Sequence, residues 1–326
     1  MPPSAPTHWT ALTLRSADLV CELLPDKGAE IETLIHRPTG TQLLGRLRPT
    51  PPPDETFGAD FPGADEAAFT RWYAGGWQGL LPNGDGPCAV DGIPHSFHGE
   101  SWGRGWRVTG ATTTAATLVT DIEWPPLRVH RRIELLPDGA AVTIAERVEN
   151  RGPNEARILW GHHPVFGAPL VGAGARIELP PGDLETVWCD PTSRFPSTTG
   201  LRWPTARTSA GGEVDASLVP PAPCHDLCLV SGFDVGVARI IAPDSSLAVS
   251  LEFDAALFRW LWIWQLFGGA EAEPFAGRTV LGLEPWTGPP GLDRAVRDGA
   301  ALVLPAGGER TTSLTLVVDA EEDDRP

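Results

Sequence analysis

Hydrophobic and polar residues alternate along much of this chain with a period of two. Leu127, Val129, Arg131, Ile133 and Leu135 share one parity, the turn residues Pro137-Asp138-Gly139 follow, and Val142, Ile144 and Val148 resume the alternation. This pattern predicts a β-hairpin, because successive strand side chains point to opposite faces and Pro-Asp-Gly supplies the reversal. Short runs at 11–14, 117–122, 227–230, 237–241, 247–253, 260–266 and 314–318 predict further strands. The 34 prolines and 36 glycines leave few windows for long helices. The expected fold is therefore all-β, a large antiparallel sandwich with few short helices. Segments 49–63 and 180–223 carry turn residues without apolar periodicity and are expected as irregular loops. No linker or internal repeat divides the chain, so 1–320 reads as one domain and 321–326 as an acidic tail.

Composition narrows the function classes. The 326 residues are 41% hydrophobic and 21% charged, enough apolar material for a sizeable core. Acidic residues outnumber basic ones by 42 to 25, a net charge of −17, which repels phosphate backbones and anionic lipid headgroups. Neither a nucleic-acid nor a membrane partner is expected. The N-terminal MPPSAPTHWT lacks the charged and apolar regions of a signal peptide, and the apolar stretch 257–269 is short and broken by Arg259. A cytoplasmic protein, monomeric or homodimeric, is expected. Thirteen tryptophans exceed what core packing usually needs; their flat faces suit sugars or other flat apolar ligands, and the alternative is that they fill a wide β-sandwich. The five cysteines form no disulfide framework. Cys224-His225-Asp226-Leu227-Cys228 offers half of a metal site with no second pair to complete it, so no metal is expected.

The residues capable of chemistry are histidines and one late carboxylate. His95 and His98 follow a Gly75–Gly84 segment containing Trp77, Gln78 and Asn83, and the pair His162-His163 follows the predicted hairpin. Adjacent residues on a strand face opposite ways, so at most one of that pair can address a given pocket. Glu284 lies in the apolar run Leu281-Gly282-Leu283-Glu284-Pro285-Trp286. Partial desolvation there raises its pKa and makes it a better base near neutrality. No nucleophile elbow, phosphate loop, dinucleotide fingerprint or HExxH motif is present. Cofactor-free general acid–base chemistry is the economical reading of His plus Glu.

In their order, these motifs resemble those of the aldose 1-epimerase (galactose mutarotase-like) family. The resemblance rests on Asp26-Lys27-Gly28-Ala29-Glu30, Asn83-Gly84, Val90-Asp91-Gly92, His98-Gly99, Val148-Glu149-Asn150 with His163-Pro164-Val165-Phe166, Asp226-Leu227-Cys228-Leu229-Val230, Leu283-Glu284-Pro285 and the closing Leu302–Gly307. It implies a β-supersandwich that binds a monosaccharide on its concave face. It also implies Glu284 as the base that takes the anomeric proton and His163 as the acid that protonates the ring oxygen. His98 and Asp226 would hold sugar hydroxyls, Trp77, Trp286 and Trp264 would supply aromatic walls, and Gln78, Asn83 and His162 would complete the shell. His163 and Glu284 should then sit about 5–8 Å apart, with the sugar between two hydrogen bonds. Two departures alter that shell: the family's arginine position falls on Gly76, and Leu227 rather than His follows Asp226. A non-catalytic carbohydrate binder or sensor on the same fold is the alternative. A sugar hydrolase or lyase would need a second carboxylate that the motifs do not supply.

Overall fold

The computed structural model describes residues 8–244 and 246–320. The acidic tail expected at 321–326 lies outside the described residues. Among the described residues, two antiparallel sheets of thirteen and eight strands carry the architecture, with two small two-stranded pairs beside them. The predicted hairpin is formed by Leu127–Leu135 and Ala141–Asn150, with Leu127 opposite Asn150 and Leu135 opposite Val142. Gly139 closes its turn at φ 87°, a left-handed conformation that glycine adopts without steric cost. The runs at 237–241 and 247–253 are the paired strands Val237–Ile241 and Leu247–Phe253 of the same eight-stranded sheet. Helices are few and short: Glu66–Trp72, Leu292–Arg297 and a 3-10 turn at Ser101–Gly103. No helix among the described residues is long and apolar enough to cross a membrane.

The alternation decides where the core lies. Val129, Ile133, Val142 and Ile144 of the hairpin share one buried cluster with Ile263, Leu281, Leu283 and Val230 of the larger sheet. The intervening residues of the larger sheet, among them Trp262, Trp264, Gly282 and Glu284, therefore face outward, away from the smaller sheet. Segment 49–63 contains no strand or helix, as expected. Segment 180–223 differs from expectation. It contributes four strands, Asp183–Val187, Thr198–Arg202, Thr205–Arg207 and Glu213–Asp215, at one end of the larger sheet. These edge strands are short and largely exposed, so pairing needs no apolar repeat to hold it and none is written in the sequence.

One buried position breaks the apolar rule. Arg131 has the inward parity of the hairpin, and its Nε donates to Glu146 Oε1 at 2.5 Å. Its guanidinium also lies over the Trp106 ring, 4.2 Å from the centroid, and Nη1 donates to the carbonyls of Gly28 and Ala29. Glu146 Oε2 accepts from Trp160 Nε1 at 3.0 Å and lies 2.9 Å from His162 Nε2. Trp77 Nε1 donates to His162 Nδ1, which leaves the imidazole proton on Nε2 to donate to Glu146. Burial alone would raise the Glu146 pKa, but Arg131 and His162 outweigh it and hold the carboxyl at about 2.

Candidate active site

Strand register assembles the centre of the site. The antiparallel strands Gly161–Phe166 and Thr279–Trp286 pair Gly161 with Trp286 and Val165 with Gly282, which sets His163 opposite Glu284 on the outer face. The next strand, Trp260–Phe267, places Trp262 opposite Glu284 and Trp264 opposite Gly282. Beyond it, Cys224–Ser231 places Leu227 opposite Trp264. Residues far apart in sequence thus form adjacent rows, as cross-strand partners share a face. Over these rows lies a cavity of about 160 Å³ whose floor includes His163, Glu284 and Trp262 and whose walls include His98, Trp264 and Tyr73.

The Glu66–Trp72 helix covers one side. Asp65 caps its start by accepting the Ala68 N–H, and Arg48 donates to the carbonyls of Thr70, Arg71 and Tyr73 at its end. The chain leaves the helix extended at Tyr73 and brings the Tyr73 hydroxyl to 3.3 Å from His163 Nδ1. Burial, followed by the nearby Glu284 and Glu30, raises the phenol pKa well above its ordinary value, so Tyr73 stays protonated. It is the only tyrosine in the chain. His98 occupies the left-handed region at φ 56°, and its Nδ1 accepts the Asp85 backbone N–H at 3.0 Å. The proton is therefore on Nε2, available as a donor. Burial, and then the neighbouring His163, hold the His98 pKa well below the usual imidazole value.

His163 Nε2 and Glu284 Oε1 lie 3.5 Å apart, both buried. This is direct approach rather than the expected 5–8 Å, because the two are cross-strand neighbours. Burial raises Glu284 to about 8, against the opposing effect of the Trp286 Nε1–H bond to Oε2 at 3.2 Å. Burial lowers His163 to about 4. Between those values the pair carries one proton.

On the other side, Trp264 Nε1 donates to His225 Nε2 at 2.8 Å, so His225 Nδ1 carries the proton given to Asp190 Oδ2 at 2.6 Å. Phe275 packs edge-on against Trp264, with centroids 5.7 Å apart.

Four of the sequence-derived candidates, His98, His163, Trp264 and Glu284, line this cavity. Trp286 is on the outer face but lies beneath it, stacked on Trp262 at 4.2 Å and under His98 at 6.1 Å. Only glycine fits against it at Gly161, where a Cβ would fall 2.1 Å from the Trp286 ring. Trp77 and His162 turn inward to the Glu146 cluster. Gln78 is on the outer face but donates sideways to Glu30 and to the Gly75 carbonyl. Asn83 ties loops together, donating to the Gly86 and Ser96 carbonyls and accepting from the Leu292 N–H. Asp226 is fully buried on the inner face, holding the backbone N–H and Nε of Arg194. The side chains that face the cavity from this strand are its neighbours His225 and Leu227, a one-residue difference that strand parity inverts. The same parity separates His225 from the buried Cys224 and Cys228, and no group of three His, Cys, Asp or Glu able to hold a metal occurs among the described residues.

Tyr73, His225, Trp262 and Phe275 were not among the sequence candidates. Tyr73 had a sequence signal in its uniqueness, and His225 was legible as a histidine of the Cys224–Cys228 half-site but not as a cavity residue. The arginine position at Gly76 is closed by backbone: Gly76 has φ 88°, and a Cβ there would meet the Ile31 carbonyl at 2.7 Å. The Arg46 guanidinium lies nearby but is engaged by Glu32 and Thr50.

The fold is that of the galactose mutarotase-like proteins. The structure resembles a galactose mutarotase related enzyme from Lactobacillus acidophilus, with a TM-score of 0.68 at 12% identity over 96% of this chain and 99% of the other. It also resembles a candidate aldose 1-epimerase from Escherichia coli K12, with a TM-score of 0.67 at 18% identity over 95% and 99% of the two chains. A galactose mutarotase-like protein from Lactobacillus casei gives 0.60 at 16% identity over 95% and 100%. No curated protein matches the sequence. Residues 106–318 match the family described as a domain of unknown function, DUF4432, and the chain belongs to that family.

Proposed function

We propose that the protein is an aldose 1-epimerase-like isomerase that interconverts the α and β anomers of a monosaccharide. The observation that carries this reading is the buried His163–Glu284 pair at the floor of a small cavity, sharing one proton across neutral pH. Opening a cyclic hemiacetal requires one proton to leave the anomeric hydroxyl and one to reach the ring oxygen as the C1–O5 bond breaks. A base and an acid on the same edge of the sugar supply both. The direction of the pKa shifts reverses the roles that the resemblance implies. In the empty cavity the proton rests on Glu284, which gives it to O5, while neutral His163 takes the O1 proton. The opened aldehyde rotates about C1–C2, and reclosure by the reverse transfers restores both groups. His98 Nε2–H holds a sugar hydroxyl.

The test is the pH dependence of catalysed anomer exchange, read by saturation-transfer NMR. Below about 4 both groups are protonated and no base remains, and above about 8 both are deprotonated and no acid remains. The kcat/KM profile should therefore be bell-shaped, with an acid limb near 4 set by His163 and an alkaline limb near 8 set by Glu284. A profile flat across both limbs would rule out the pair. Tyr73→Phe keeps the ring stacked on Phe69 and removes only the hydroxyl beside His163. Loss of one neutral hydrogen bond of about 1 kcal/mol predicts a kcat about fivefold lower with KM little changed. A change confined to KM would instead assign Tyr73 to sugar binding. The closed Gly76 position favours the second reading, a non-catalytic sugar binder, and the same exchange assay separates the two.

A further inference from the structure

We propose that the cavity selects an uncharged aldose with one edge bare of hydroxyls, a deoxy sugar, and turns away phosphorylated and carboxylated sugars. The inference rests on the reading of the cavity as a sugar site and extends it to the substrate class.

No lysine or arginine is among the described residues that line the cavity, while Glu66 and Asp85 stand exposed on its walls. The arginines of neighbouring segments are committed elsewhere. Arg46 binds Glu32 and Thr50, Arg48 binds the carbonyls at the end of the Glu66–Trp72 helix, and Arg194 binds Asp226 and Gln265. A phosphate or carboxylate entering this space would be desolvated beside like charge with no cation to receive it.

One wall of the cavity has no free donor. On the wall made by Leu227, Trp264, Phe275 and His225, every polar hydrogen is already spent. The Trp264 N–H goes to His225 Nε2, and the His225 Nδ1–H goes to Asp190. Leu227 and Phe275 have no polar side-chain atoms. A sugar hydroxyl pressed against this wall loses its water and gains no partner. Elsewhere in the lining, His98 Nε2–H, the Asp85 carboxylate and the Thr70 hydroxyl can meet hydroxyls. A ligand matched to this lining turns hydrogen or methyl toward that wall and keeps its hydroxyls for the polar groups.

The experiment compares a hexose with its 2-, 4- and 6-deoxy derivatives, its 6-phosphate and its uronic acid, measuring binding by calorimetry and anomer exchange by NMR. At least one deoxy derivative should exceed the parent about tenfold or more in affinity or kcat/KM, and neither anion should bind. Trp264→Phe keeps an aromatic wall but frees His225 Nε2 to meet a hydroxyl, so the deoxy preference should shrink several-fold. A parent hexose preferred over every deoxy derivative would overturn the proposal, as would a 6-phosphate bound as tightly as the parent. Preferential binding of a deoxy sugar without accelerated exchange would uphold the substrate class while removing the epimerase reading. Failure of every sugar to bind would remove both.

Discussion

Truncating Glu146 to alanine is expected to destabilise the fold by about 3–5 kcal/mol, the cost of leaving a buried charge without its partner. Glu146 lies between the two sheets and engages Arg131, Trp160 and His162 together. Its loss leaves the Arg131 guanidinium in the core with only carbonyls and the Trp106 ring, and frees two N–H donors where water does not reach. Glu146→Gln retains an acceptor and most of the volume, so it should cost less than the alanine variant. The pH dependence follows the same cause. The folded-state pKa of about 2 lies below the ordinary carboxylate value, so this contribution is complete above the unfolded pKa and is lost as pH falls through about 2. Urea unfolding of the three proteins at pH 7 checks the order. A cost below about 1 kcal/mol for Glu146→Ala would mean that the cluster is dispensable. His162 and Trp77 belong to this stabilising cluster and not to the cavity lining, so substitutions there should act through stability.

The sequence carried the larger elements of the fold clearly where one strand face is buried. The alternation from Leu127 to Val148 marks both hairpin strands, and Val237–Ile241 and Leu247–Phe253 coincide with their apolar runs. It was silent at 180–223, where edge strands pair through backbone and need no apolar face. For the site, His163 and Glu284 were legible as a histidine after a hairpin and a carboxylate in an apolar run. Their separation was not, because it is set by the register between Gly161–Phe166 and Thr279–Trp286. The choice between His225 and Asp226 was hidden for a related reason: a strand's parity fixes which residues share a face, and only neighbouring strands reveal which face is inside. Tyr73 reaches His163 through a helix end fastened by Arg48, a tertiary contact that local pattern does not encode.

Glu284→Gln and His163→Asn should each lower kcat by about 10²–10⁴-fold, the usual contribution of a positioned proton-transfer group. Glutamine keeps the shape of Glu284 and still accepts the Trp286 N–H, but it cannot give or take the transferred proton. Asparagine at 163 removes the imidazole that faces Glu284. Affinity for the sugar should change little in either variant. The double variant should fall far short of the product of the two losses, because neither group is useful without the other. Independent losses that multiply would show that the two residues act in separate steps.

The most direct measurement is anomer exchange in the wild-type protein, followed by saturation-transfer NMR at pH 6, midway between the two pKa values, on an aldose whose binding calorimetry has established. Exchange is expected well above the buffer rate, proportional to protein concentration and abolished in Glu284→Gln. A bound aldose whose anomers exchange no faster than in buffer would contradict it and leave a sugar-binding protein on a mutarotase-like fold.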